Sequence, residues 1–147
     1  MKMVDSSDKV LNLAEIVAIA LQNTSSQYDA KVAFPAILSE LTQPKTEFKQ
    51  IGNTLFVVHP GERGQGFFKS LNADTARNFY ENSMKFCVWA KRDLGMNTLV
   101  TQFKDKHIEV LFKAIAKKPP MPNMGYQVMN MESGETRIVL NLGGEGE

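Results

Sequence analysis

The chain has 147 residues, of which 43% are hydrophobic and 22% charged, and its formal net charge is +1. This length fits a single domain that buries about two-thirds of its unfolded-chain surface, and the composition excludes a disordered chain. A net charge so near zero gives no overall basic field, so we expect no nucleic-acid partner. The single cysteine, Cys87, excludes an internal disulfide and a multi-cysteine metal site.

The ends of the chain and its apolar runs bear on location. The N-terminal residues MKMVDSSDKV lack the apolar core of a signal peptide. The longest near-apolar stretch, Leu13 to Leu21, is far too short to span a bilayer. We therefore expect a soluble, intracellular protein that is not secreted by a signal peptide and has no membrane span.

Two helices are predicted in the first part of the chain. Apolar periodicity predicts one from about Val10 to Gln22, with Asp8 or Ser7 as its cap. A second is predicted from about Phe34 to Leu41, with Pro35 in its first turn, where proline is tolerated.

Three antiparallel strands are predicted next. Phe48 to Ile51 leads into a turn at Gly52-Asn53, after which Thr54 to Val58 has the composition of a buried strand. A third short strand, Phe67 to Leu71, follows a glycine-rich bend, Gly61 to Gly66.

The longest helix follows these strands. Asp74 or Thr75 is its predicted cap, and Gly95 its terminator. Its predicted core stripe has steps of three and four residues: Ala76, Phe79, Ser83, Phe86, Cys87, Ala90 and Leu94. The next predicted strand, Thr98 to Thr101, is rich in β-branched residues and suited to a central position.

A fourth helix and a hairpin complete the predicted order. Asp105 is the predicted cap of the helix, whose core stripe is Ile108, Leu111, Phe112 and Ile115. The hairpin has arms at Tyr126 to Met129 and Arg137 to Leu142, with a turn at Ser133-Gly134. The predicted class is α+β, with a mixed, mostly antiparallel sheet flanked by helices and one parallel pair around the long helix.

We expect one domain over residues 1–147. Residues 1–45 form its helical N-terminal part, and residues 46–142 contain the sheet and the two main helices. Residues 143–147, the acidic glycine-rich sequence GGEGE, form a tail that is expected to be flexible in isolation.

The glycine bend allows two interpretations. Between a strand and a helix, the backbone amides of Gly64 and Gly66 would hold a phosphate. If the long helix instead starts at the Asp74-Thr75 cap, the bend only joins two antiparallel strands. A lone GxG is a weak motif, so both interpretations remain open.

The element order, the GxG near a strand–helix junction and the segments LFKAIAK and MGYQV together resemble the GNAT N-acetyltransferase family over about residues 46–142. The resemblance implies that Gly64 and Gly66 hold the acetyl-CoA pyrophosphate, with Glu62 or His59 as the base toward an amine. The family pattern has Gln or Arg where Gly61 stands, and Asn near the position of Asp105. Phe112 stands where the family often has a tyrosine acid, and phenylalanine has no proton to give.

The layout is also similar to that of the small internal virion protein of short-tailed bacteriophages. That similarity implies a degenerate acetyltransferase-like fold without a cofactor, located in the virion or the host cytoplasm. Its partners would be other virion components or copies of itself. The alternative is an active acetyltransferase that uses acetyl-CoA, and a third possibility is a phage protein that binds a host factor.

Other side chains have simpler interpretations. A lone histidine such as His59 at a strand end is more often a solvated turn residue than a base. Cys87 lies on the inward stripe, which favours a buried apolar role. Phe68, Tyr80 and Trp89 are candidates for an exposed contact patch. The histidine spacing gives no metal site.

Overall fold

The structure is a computed structural model that describes residues 11–23, 30–103, 106–120 and 124–142. These residues form four α-helices and six β-strands, which confirms the predicted α+β class and element order. In chain order the elements are α1 (Leu13–Asn23), α2 (Ala30–Leu41), β1 (Glu47–Ile51), β2 (Thr54–Pro60), β3 (Gln65–Asn72), α3 (Ala76–Leu94), β4 (Thr98–Phe103), α4 (Lys106–Lys117), β5 (Gly125–Asn130) and β6 (Thr136–Asn141).

The six strands form one open sheet in the order β1-β2-β3-β4-β6-β5. Among the described strands only β3 and β4 run parallel, and α3 makes the crossover that a parallel pair needs. Their ladder is short, with Cα partners Gln65↔Thr98, Gly66↔Leu99 and Phe67↔Val100. The sheet is therefore two antiparallel groups of strands joined by a brief parallel ladder.

Helix α3 has the ends that the sequence predicts. The Thr75 hydroxyl accepts a hydrogen bond from the Asn78 amide at 3.1 Å. Gly95 ends the helix in the left-handed conformation, with φ of 69°. The buried face contains four residues of the predicted stripe (Ser83, Phe86, Cys87 and Ala90) together with Asn82.

Two hydrophobic clusters lie on opposite faces of the sheet. The larger packs α3 and α4 against the sheet around Phe86, whose ring stacks on Phe56 at 4.3 Å. The smaller joins α1 and α2 to Leu55 and Val57 of β2. Strand β2 is thus buried on both faces, as expected for its continuous apolar sequence.

The starts of the first two helices differ from prediction. Helix α1 begins at Leu13, because Asn12 and Glu15 form a capping box. Asn12 Oδ1 accepts from the Glu15 amide at 2.8 Å, and Glu15 Oε1 accepts from the Asn12 amide at 3.0 Å. The proposed caps at residues 7 and 8 lie outside the described residues, as does the predicted cap of α4 at residue 105.

Helix α2 begins at Ala30, so Pro35 lies inside the helix and the predicted first-turn position was wrong. Proline has no amide hydrogen, so the helix loses one backbone hydrogen bond at this residue. None of the helices in the described part of the chain is both long and apolar enough to cross a membrane.

The predicted exposed aromatic patch was wrong for Phe68, which is only 5% exposed. In the β2–β3 register Phe68 pairs with Val58 and shares its core face, whereas its neighbour Phe67 points away and is 54% exposed. Tyr80 and Trp89 are half-buried and pack against the larger cluster.

Candidate functional site

The glycine bend joins β2 to β3 through a single 3₁₀ turn, Glu62–Gly64. The amide of Gly61 donates to the Gln65 carbonyl at 2.7 Å, which closes the bend. The carbonyl of Gly64 accepts from the Asn97 amide at 2.7 Å. Since Asn97 directly precedes β4, the bend lies beside the C-terminal end of α3.

This position bears on the coenzyme interpretation. A phosphate is favoured at the N-terminal, positive end of a helix, whereas the C-terminal end carries partial negative charge. Gly66 is the second residue of β3, and the rest of that strand separates it from the α3 cap at Thr75. Glu62 is exposed on the bend. The geometry matches a turn between antiparallel strands, which is the second interpretation of these glycines.

Gly64 is required by the turn, because its φ is 75° and an added Cβ would lie 2.7 Å from Asn97 Nδ2. We expect Gly64→Ala to lower the free energy of unfolding by about 1–3 kcal/mol, measured by equilibrium urea denaturation. Gly61→Ala is the matched control, since its Cβ would meet only the Gln65 carbonyl at 3.4 Å. Equal losses in the two variants would contradict this account of the bend.

His59 lies in β2 and faces α2. Its Nε2 is hydrogen-bonded to Glu40 Oε2, and Thr46 Oγ1 lies 3.3 Å from its Nδ1. Lys69 Nζ donates to Glu40 Oε1 at 3.0 Å. We call these four residues (Glu40, Thr46, His59 and Lys69) the His59 cluster. The cluster ties α2 to the neighbouring strands β2 and β3.

Glu40 is the anionic member of the His59 cluster. Partial burial raises the pKa of Glu40, but the hydrogen bonds and charges of Lys69 and His59 outweigh it and hold the pKa below its ordinary value. The Glu40 side chain is 18% exposed and that of His59 37%. The carboxylate is therefore ionised at neutral pH and more enclosed than the imidazole.

A pocket opens beside the His59 cluster. It has a volume of about 310 Å³ and lies on the segment between α2 and β1. Its lining residues are Gln43, Pro44, Lys45, Thr46, His59 and Pro60. Sequence reasoning singled out His59 alone, because Glu40 and Thr46 reach it only through the packing of α2 on the sheet.

A polar network surrounds Asp74 at the N-terminal end of α3. Its Oδ2 accepts from the Asn53 amide at 3.0 Å and from Asn82 Nδ2 at 3.1 Å. Its Oδ1 accepts from the Thr75 amide at 3.2 Å and from Asn78 Nδ2 at 2.9 Å. These bonds fasten the first turn of α3 to the β1–β2 turn.

The electrostatic result is a fixed negative charge at the helix N-terminus. Partial burial raises the pKa of Asp74, but its hydrogen bonds, with that from Asn78 first, outweigh it and lower the pKa. The carboxylate stands where the helix dipole favours an anion. A phosphate brought to this end of α3 would meet that charge, and the amides of Thr75 and Asn78 are already engaged there.

Two further candidates lie in the core. Phe112 is 1% exposed and meets Phe68 edge-on, with ring centroids 5.8 Å apart. Cys87 is fully buried, and burial raises the pKa of its thiol to about 12, so it stays protonated and unreactive. Among the described residues, no group of three or more His, Cys, Asp or Glu side chains is placed to hold a metal ion.

Comparison of the sequence with protein-family models gave no match, and comparison with curated proteins gave none.

Proposed function

We propose that this chain is a phage virion or assembly-associated protein with a GNAT-like fold whose catalytic pattern is degenerate, and that it acts through protein contacts. The observation that carries the proposal is the Asp74 carboxylate at the N-terminus of α3. Apart from the glycine bend, the N-terminus of α3 is the position at which an acetyl-CoA pyrophosphate would be favoured. Here the position is taken by a negative side chain that helps to hold the fold together.

The strand arrangement supports the GNAT-like part of the proposal. The resemblance implies one parallel pair around the long helix, and β3 and β4 flank α3 in this way. Strands β5 and β6 pair antiparallel from Gly125↔Asn141 to Asn130↔Thr136, as the proposed C-terminal hairpin requires. The burial of Phe112, at the position of the family tyrosine, supports the loss of catalysis.

One face of the sheet is only partly covered by helices, which supports action through protein contacts. Helices α1 and α2 pack over β2 and β3. On the same face, Phe67 near the N-terminal end of β3 is 54% exposed, and Met129 of the edge strand β5 is 42% exposed. The ladder registers place Val100 and Val139 on this face between them. Large exposed apolar side chains on one surface are typical of interaction sites.

The first test is binding of acetyl-CoA. We expect no change in the thermal midpoint at millimolar acetyl-CoA, because Asp74 opposes the pyrophosphate. A ligand present at 100 times its Kd would add about 2.7 kcal/mol of stability, which a thermal melt detects readily. A clear upward shift that adenosine alone does not reproduce would contradict the loss of the coenzyme site.

The second test addresses the virion. Mass spectrometry of purified particles from the phage that encodes the chain should find it in stoichiometric amounts. Its absence from particles, together with capture of one host protein by the tagged chain from host lysate, would favour the host-factor alternative.

One observation favours the enzyme alternative. Strands β3 and β4 stop pairing after Phe67 and Val100. The backbone hydrogen bonding between these two strands is therefore interrupted beside α3. In an active acetyltransferase Gly64 and Gly66 would hold the pyrophosphate, and Glu62 or His59 would act as the base. Acetyl-CoA turnover that is abolished by Gly64→Glu, in a variant that still folds, would establish this alternative over the proposal.

A further inference from the structure

We propose that Thr46, His59 and Glu40 form a nucleophile, a general base and a positioning carboxylate that hydrolyse small carboxylic esters at the pocket between α2 and β1. This activity is separate from the protein contacts proposed above. It uses neither the glycine bend nor the end of α3 where a coenzyme would lie.

The inference starts from the tautomer of His59. Glu40 is ionised, because its hydrogen bonds hold its pKa below the ordinary value, so it can only accept a hydrogen bond. The contact of His59 Nε2 with Glu40 Oε2 therefore needs the proton on Nε2. In the neutral ring, Nδ1 is then an acceptor, and the group that lies 3.3 Å from it is the Thr46 hydroxyl. The Thr46 hydroxyl is thus placed to donate to the His59 base, and Glu40 orients that base.

Lys69 supports this arrangement from the far side. Its Nζ donates to Glu40 Oε1 at 3.0 Å, while Oε2 faces His59. The carboxylate is thereby held by both oxygens and cannot rotate away from the imidazole. When His59 takes up a proton it becomes a cation beside an ionised carboxylate, which stabilises that state.

The pocket supplies room for a substrate at the nucleophile. Thr46 and His59 both line it, and Pro44 and Pro60 give it apolar walls. Lys45 also lines the pocket and carries the positive charge that a developing oxyanion needs. A pocket of about 310 Å³ has room for a small acyl ester.

The hydrolysis of the ester requires only these side chains and water. Thr46 Oγ1 attacks the ester carbonyl carbon while its proton passes to His59 Nδ1. The tetrahedral intermediate collapses, the C–O bond to the alcohol breaks, and the departing alkoxide takes the proton from His59. Water then attacks the acyl-Thr46 ester with His59 again as base, which releases the carboxylic acid and restores the threonine.

The test uses p-nitrophenyl acetate with the full chain, following p-nitrophenolate release and then the acetylated residue by peptide mass spectrometry. We expect Thr46→Val to lower the rate at least 100-fold toward the buffer rate, and Thr46→Ser to retain it. Thr42→Val is the matched control, since its hydroxyl only donates to the Ser39 carbonyl at 2.8 Å. Acetyl groups should appear on Thr46 in the wild-type chain and should be absent in the His59→Gln variant. The far-ultraviolet circular dichroism spectrum of that variant should match that of wild type.

Glu40→Gln tests the positioning role. Glutamine keeps one acceptor oxygen but has no negative charge to stabilise the protonated imidazole, so we expect kcat to fall while KM is unchanged. A merely structural role would change only the thermal midpoint. A Thr46→Val rate equal to that of wild type, or acetylation confined to lysines, would overturn the inference. Neither result bears on binding of acetyl-CoA or on presence in particles, so the earlier proposal stands or falls separately.

Discussion

Replacing Phe86 by alanine should lower the free energy of unfolding by about 3–5 kcal/mol. Phe86 is fully buried on α3 and its ring stacks on Phe56 at 4.3 Å with an interplanar angle of 5°. It also meets Phe68 at 5.0 Å and Trp89 at 6.0 Å. Alanine would leave a cavity among three aromatic rings that rigid strands and a helix hold in place. Guanidinium denaturation followed by circular dichroism measures the loss.

Phe67→Ala is the control for the same chemical change. Phe67 is 54% exposed, and its described ring contact is the Arg137 guanidinium, 6.0 Å from the ring centroid. We expect a loss of no more than about 1 kcal/mol, the size of an exposed cation–π contact. If both variants lost the same amount, the assignment of Phe86 to the core and Phe67 to the surface would be wrong.

Replacing Asp74 by alanine should cost about 1–3 kcal/mol at neutral pH, because it leaves buried donors without their acceptor. The most enclosed of these is Asn82, which is 6% exposed and also donates to Thr54 Oγ1 at 3.1 Å. Asp74→Asn keeps the shape and one acceptor oxygen, so its loss should be smaller. The measurement is urea denaturation at pH 7.

The Asp74 side chain should also affect how steeply the free energy of unfolding falls at acid pH. The folded pKa of Asp74 is lowered, so its contribution is present above the unfolded pKa and is lost as pH falls through the folded pKa. Glu40 contributes in the same direction. Wild-type stability should therefore fall below about pH 4, and the fall should be shallower in Asp74→Asn. Glu62 is exposed, so the stability of Glu62→Gln should fall with pH in parallel with wild type. If the stability of Asp74→Asn also fell in parallel with wild type, this role of Asp74 would be refuted.

The part of the fold that sequence predicts well is the part with local signals. Helix α3 has its cap, its terminator and its apolar stripe within one continuous segment. The structure reproduces the cap and the terminator and buries four of the seven stripe residues, whereas Ala76 is exposed. The antiparallel pairing of β1 with β2 follows from the turn at Gly52-Asn53 and the buried composition after it. In each case the deciding residues are sequence neighbours.

The predictions that failed depend on contacts between distant segments, or on which of two neighbouring strand residues faces the core. Phe67 and Phe68 are identical side chains, and only the β2–β3 register decides which one is buried. Pro35 argued for a helix start at Phe34, which the structure places four residues earlier, at Ala30. Asn82 is buried because Asp74 and Thr54 satisfy it, which an apolar stripe does not reveal.

The candidate site was predictable only in part, for the same reason. His59 stood out by residue type, yet Glu40 is 19 positions away and Thr46 is 13 positions away along the chain. No spacing rule links an acid on a helix to a histidine on a strand. The pocket at the segment between α2 and β1 likewise exists only once those elements have packed.

The short β3–β4 ladder is the backbone pairing that joins the strand group β1–β3 to the group β4–β6 in the described sheet. With backbone pairing limited to Gln65–Phe67 opposite Thr98–Val100, side chains must transmit most of the coupling between the two strand groups. Phe68 is the principal link, since it meets Phe86 of α3 on one side and Phe112 of α4 on the other. We therefore expect a change at Phe68 to weaken the packing between the two strand groups more than the pairing within either group.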